Sequence, residues 1–120
     1  FNKRGVTTIA ISSDDKERAS EMAKRVQAKT LRIGYNLSLE HARKWGLYIS
    51  TSRGKTSIGI EEPQLFPEPG LFMMTPEQNL YYGSVQTMPF VRPHFSELLG
   101  AIDFVIEKDY PARGEYTGDI

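Results

Sequence analysis

The chain contains no cysteine, so disulfides, thiolate nucleophiles and cysteine metal ligands are all excluded within its 120 residues. Histidine is nearly as scarce: His41 and His94 stand alone in sequence, and neither a metal site nor a cofactor is expected from them. Net charge is absent too. The 15 Lys and Arg residues balance 15 Asp and Glu, which removes the long-range field that would draw the chain to nucleic acid or to a membrane surface. No apolar run nears the roughly 18 residues of a membrane span, and the opening residues lack the charged-then-apolar order of a signal peptide. The expectation is one cytoplasmic domain, or part of one, with no nucleic-acid or membrane partner.

What is present alternates between strand and helix patterns. Phe1-Asn2-Lys3-Arg4-Gly5 reads as a helix end, with cations at the negative pole of the dipole and a glycine suited to a left-handed cap. The start of that helix is missing and the first residue is Phe rather than Met, so truncation upstream is expected. Val6–Ile11 is a β-branched run of the kind buried on both faces of a parallel sheet. Asp14 and Glu17 have capping-box spacing, and Ala19, Met22, Ala23 and Val26 recur at helical intervals, predicting a helix over about 15–28.

A short strand at Lys29–Ile33 is predicted next, then a helix capped by Ser38, carrying Leu39, Ala42 and Trp45 on one side and stopped by Gly46. Trp45 is expected in the core, and His41 on a solvated face. Residues 47–69 lose regularity: 51–55 form a turn, Thr56–Ile60 form a candidate strand, and Pro63, Pro67 and Pro69 forbid continuous pairing. Arg43, Lys44, Arg53 and Lys55 read as solvated surface beside Glu61 and Glu62, and Asp14-Asp15 as helix-start carboxylates. Leu71–Met74 and Leu80–Val85, joined by Thr75–Asn79, predict an antiparallel hairpin. Pro93 then opens a helix over about 93–108 with an apolar stripe of Phe95, Leu98, Leu99, Ile102, Val105 and Ile106, and residues 109–120 form an extended tail.

That order of elements, with three stretches of sequence, carries a resemblance. Glu68–Leu80 resembles the proline, strand, polar turn, strand segment of the alkyl hydroperoxide reductase/thiol-specific antioxidant superfamily. Gly5-Val6 through Asp14 resembles the strand and helix cap before it, and Ser38–Tyr48 the helix and the tyrosine that follows glycine-leucine there. The resemblance covers residues 1 to about 108 and implies an α/β fold, a thioredoxin-like three-layer sandwich with a mixed sheet, truncated at its N-terminus. It implies a peroxidatic cysteine, or a Cys-x-x-Cys pair, upstream of Phe1. The family's arginine on the strand before the hairpin is unmatched, since Pro69-Gly70 stands there, which favours a thioredoxin-like over a typical peroxidase variant.

Two further expectations follow from the resemblance. Pro69 corresponds to the proline whose preceding peptide bond is cis in thioredoxin folds, beside the redox cysteine; its plain alternative is a strand-start proline. The family's first strand would lie between Val6–Ile11 and Leu71–Thr75. Bare buried backbone groups cost about 1–3 kcal/mol each, so that gap is expected to be filled by upstream residues or a strand from another copy, or closed by the flanking strands.

A hairpin leaving Pro69 and returning at Val85 brings loops 67–70 and 86–92 to one end of the sheet, with the end of the 6–11 strand expected beside them. The candidate rim of a redox site is therefore Ser12, Ser13, Glu68, Pro69, Gln86, Met88, Phe90 and Arg92. Ser12–Asp14 have the alternative of capping a helix, and Met88 and Phe90 of closing a core. Two functions are compatible with these residues. One is the C-terminal portion of a thiol-dependent antioxidant oxidoreductase, whose partners are a thiol reductant and a disulfide or peroxide substrate, with self-association through unpaired strand edges. The other is a cysteine-free binding module for a peptide or protein on the same scaffold.

Overall fold

The computed structural model describes residues 1–25, 31–54, 63–88 and 90–120. The protein is mixed α/β. A 3-10 turn at Asn2–Arg4 ends on Gly5 in the left-handed region (φ 73°), as the cap pattern predicts. Strand β1 (Ile9–Ile11) leads to helix α1 (Lys16–Arg25) and strand β2 (Arg32–Gly34), which pairs in parallel with β1, Ile9 opposite Arg32 and Ile11 opposite Gly34. The α1 cap falls one residue later than the sequence pattern places it: the Arg18 N–H donates to the Asp15 carboxylate at 2.9 Å, while the Asp14 N–H is taken by the Ser12 hydroxyl at 3.0 Å. The predicted ends of this helix and strand at 26–30, and the candidate strand Thr56–Ile60, lie outside the described residues.

Helix α2 (Leu39–Lys44) starts where Ser38 accepts the His41 N–H at 3.1 Å, and Gly46 ends it at φ 83°. The region predicted to resist pairing contains a ladder: β3 (Ile49–Thr51) runs antiparallel to β4 (Leu65–Pro67). Pro67 is tolerated because it is the last residue of a strand whose described ladder has one partner, where its missing donor costs no interior bond. The hairpin of β5 (Gly70–Met74) and β6 (Leu80–Val85) is antiparallel as expected, with a register shift at Met73/Met74. Helix α3 (Phe95–Lys108) follows His94 and closes on Asp109 at φ 47°.

Among the described residues these six strands make three separate two-stranded ladders. The β-branched run is therefore not buried on both faces: Ile9 is 53% and Ile11 61% exposed. Strands β1 and β5 have not closed on each other among the described residues, and β1 pairs there with β2 alone. Among the described residues the buried side chains are Ala19 on α1, Ala42 on α2, and Leu98 and Ile102 on α3. Trp45 corrects the core expectation. It caps α2 instead of continuing it, stands half exposed, and rests against Phe72 of β5 with ring centroids 5.0 Å apart. His41 is exposed, as expected. The α3 stripe narrows to Leu98, Ile102 and the half-buried Leu99 and Val105, since Phe95 and Ile106 face solvent.

Helix α3 is tied to the N-terminal turn, and Tyr110, just beyond it, to the hairpin. Arg4 pairs with Asp103 through two hydrogen bonds at 2.5 and 3.0 Å, Phe1 meets Phe95 edge-on at 6.2 Å, and the Tyr81 hydroxyl on β6 donates to the Tyr110 carbonyl at 2.7 Å.

Candidate functional site

The best-formed assembly of predicted rim residues lies where three chain segments meet at one end of the β5–β6 hairpin. Gly70 pairs with Val85, so the 67–70 connection and the residues after β6 share that end, as the hairpin argument requires. The β3–β4 ladder is carried one step further by the Glu68 N–H, which donates to the Tyr48 carbonyl at 2.7 Å. The Ser50 hydroxyl holds the Glu68 carboxylate at 2.7 Å. Leu47 then lies so close to Gly70 that a Cβ there would overlap its Cδ2, so absence of a side chain at 70 is what lets residues 47–48 approach.

The result is an open cleft of about 270 Å³ lined by Tyr48, Val85, Gln86, Thr87, Met88 and Val91. Ser84 and Gln86 are in hydrogen-bond contact at 3.4 Å, and the Val91 N–H donates to the Met88 carbonyl at 3.2 Å. Of the eight rim candidates, Gln86 and Met88 line the cleft and Glu68 borders it through Tyr48. Pro69 precedes the Gly70–Val85 pair, while Phe90 and Arg92 flank Val91 and are exposed. Ser12 and Ser13 are not brought to it: Ser12 donates its N–H to the Gly34 carbonyl, accepts the Leu37 N–H on its own carbonyl, and turns the chain into α1 with its hydroxyl, and Ser13 is exposed. The helix cap itself is made by Asp15, and Ser12 shapes the turn before it. The Glu68–Pro69 bond is trans, a correction to the expected cis geometry. The physical reason lies next door, where Glu68 continues the β3–β4 ladder and Pro69 steps directly into β5, a path that the ordinary trans bond follows.

Tyr48, Val85, Thr87 and Val91 were missed from sequence. Tyr48 reaches the cleft through the β3–β4 pairing, and the signal for that pairing was the 49–51 and 65–67 segments, discounted because of their prolines. Chemically the lining offers a phenol, a hydroxyl, a carboxamide, a thioether and branched aliphatics, which suits an apolar group with one or two polar atoms. It contains no thiol, no imidazole and no carboxylate pair, and no cluster of metal-ligating side chains occurs among the described residues. No described helix is long and apolar enough to cross a membrane.

The pair with a resolved electrostatic effect is Arg4–Asp103. Hydrogen bonding to Arg4 holds the Asp103 carboxyl below its usual range, partly offset by desolvation, and the same bond raises the Arg4 guanidinium. Fold and site together define an α/β protein with an open, mainly apolar cleft. No protein-family profile, curated protein or solved structure matches the chain.

Proposed function

We propose that the chain is the supporting part of a thiol-dependent antioxidant oxidoreductase of the peroxiredoxin/thioredoxin-like class, arranged as a thioredoxin-like three-layer sandwich whose redox cysteine lies outside these 120 residues. The observation that supports this most is the Gly70–Val85 register, which gathers Glu68, Pro69, Gln86 and Met88 at one end of an antiparallel hairpin that follows a parallel β–α–β unit. In this reading the protein is cytoplasmic. The cleft receives part of a disulfide or peroxide substrate, or of the thiol reductant, and the chain itself moves no electrons because it has no thiol.

The trans Glu68–Pro69 bond and the apolar lining favour a second reading, a binding module that holds a peptide side chain in the same cleft. Two measurements separate them. Residues 1–120 are expected to give no peroxide or disulfide turnover above buffer in dithiothreitol- or glutathione-coupled assays, and turnover there would contradict the thiol argument. The full product of the gene is expected to carry a cysteine at a helix start before Phe1 and to lose its activity on Cys→Ser substitution. A full product without cysteine sinks the redox reading and leaves the binding module.

A further inference from the structure

Strand β1 has an edge that nothing described covers. Successive residues of a strand point their N–H and C=O groups to alternate edges. The Ser12 N–H donates to the Gly34 carbonyl of β2 at 3.0 Å, so Ser12 and Ala10 face β2, and the backbone groups of Ile9 and Ile11 face the other edge. Natural edges are guarded by lysine, proline, a bulge or a covering element. Val6–Ile11 has no charge and no proline, its register with β2 is regular, and among the described residues β1 pairs with β2 alone. The isoleucine side chains on the same strand are more than half exposed.

We infer that the β1 edge is a self-association surface, and that its occupant is β1 of a second copy of this chain, paired antiparallel about a two-fold axis through Ile9. Self-pairing fits because the interface must be its own complement. With Ile9 opposite Ile9 of the second copy, Ile11 meets Thr7, every backbone group facing the edge finds a partner, and no like charges meet along the strand. Arg4, the nearest cation, is already committed to Asp103. Surface area argues for the same outcome. A folded monomer of 13.6 kDa exposes about 6600 Å² by the usual scaling, whereas this chain exposes 10109 Å². Part of that excess is the extended tail, yet the whole is several times the roughly 800 Å² that each partner gives to a standard interface. The dimer is a four-stranded sheet, β2-β1-β1-β2, past the two-stranded size that is marginal in water. The redox reading would give this same edge to a strand upstream of Phe1, so the inference is made for residues 1–120 and rests on the open β1 edge, not on that reading.

Sedimentation equilibrium over a concentration series is expected to show a reversible species of twice 13.6 kDa. Ile9→Lys, which sets two ammonium groups face to face at the axis, is expected to weaken it about tenfold or more. Ile106→Lys on the exposed side of α3 should leave it unchanged. Because Ile9→Lys could also disturb β1, hydrogen exchange of the unmodified chain supplies a second readout: the Ile9 and Ile11 amides should be protected at high concentration and lose that protection on dilution. A monomer at every concentration, a dimer broken by Ile106→Lys and not by Ile9→Lys, or amides at 9 and 11 whose exchange ignores concentration would each overturn the inference.

Discussion

Single residues in this protein act mostly through geometry that can be tested one at a time. Asp103 and Arg4 join elements 99 positions apart through a two-point ion pair. Asp103 titrates below the ordinary carboxylate range, chiefly because of the hydrogen bond from Arg4. A carboxyl whose folded pKa is depressed stabilises the fold above its unfolded pKa and loses that contribution as pH falls through the folded pKa. Asp103→Asn should therefore lower the thermal midpoint at neutral pH, and the two proteins should converge once pH drops below the depressed value. A difference that persisted unchanged into strong acid would assign the effect to packing. Both groups are surface-exposed, so salt should shrink the difference at neutral pH as well.

Among the elements, α3 carries the largest share of the core. Leu98 and Ile102 sit one turn apart and are both buried, whereas Phe104 on the same helix is half exposed and touches only Tyr110 among described rings. Ile102→Ala is expected to cost about 2–4 kcal/mol in urea unfolding, within the range for buried large-to-small changes. Phe104→Ala should cost well under half of that. If the two costs were equal, the α3 stripe would not be the seat of the core. This helix was legible in sequence because its apolar positions recur at i, i+4 and i+7, and α2 because Ser38 and Gly46 bracket it with a cap at each end. The hairpin was legible too, since a five-residue polar connection separates two β-rich runs. The β3–β4 ladder was not, because three prolines outweighed two short extended segments whose pairing depends on contacts 14 to 18 residues apart. Of the candidate site, Gln86, Met88 and Glu68 could be placed from hairpin register alone, but Tyr48 could not, since only the unseen ladder brings it there.

On the scale of the whole molecule the protein is a slab, 46 × 42 × 24 Å, with a radius of gyration of 16.4 Å where a compact chain of this length has about 14 Å. Among the described residues each ladder joins strands that are neighbours in the chain order, β1 with β2, β3 with β4, β5 with β6. Such ladders close short loops and can form with little help from one another, at small loop-closure cost. Long-range closure falls to a few side-chain contacts, Arg4 with Asp103, Phe1 with Phe95 and Tyr81 with Tyr110, so among the described residues little compels the parts to melt together. Trp45, the single tryptophan, reports the Phe72 neighbourhood, while far-UV circular dichroism is dominated by α1 and α3. Followed by these two signals, urea unfolding should give midpoints that do not coincide; superimposable curves would reveal an all-or-none cooperativity stronger than this topology supplies. Weak cooperativity has a consequence for any partner: a surface that covers several ladders at once would add to the protein a common fate for segments that otherwise unfold on their own.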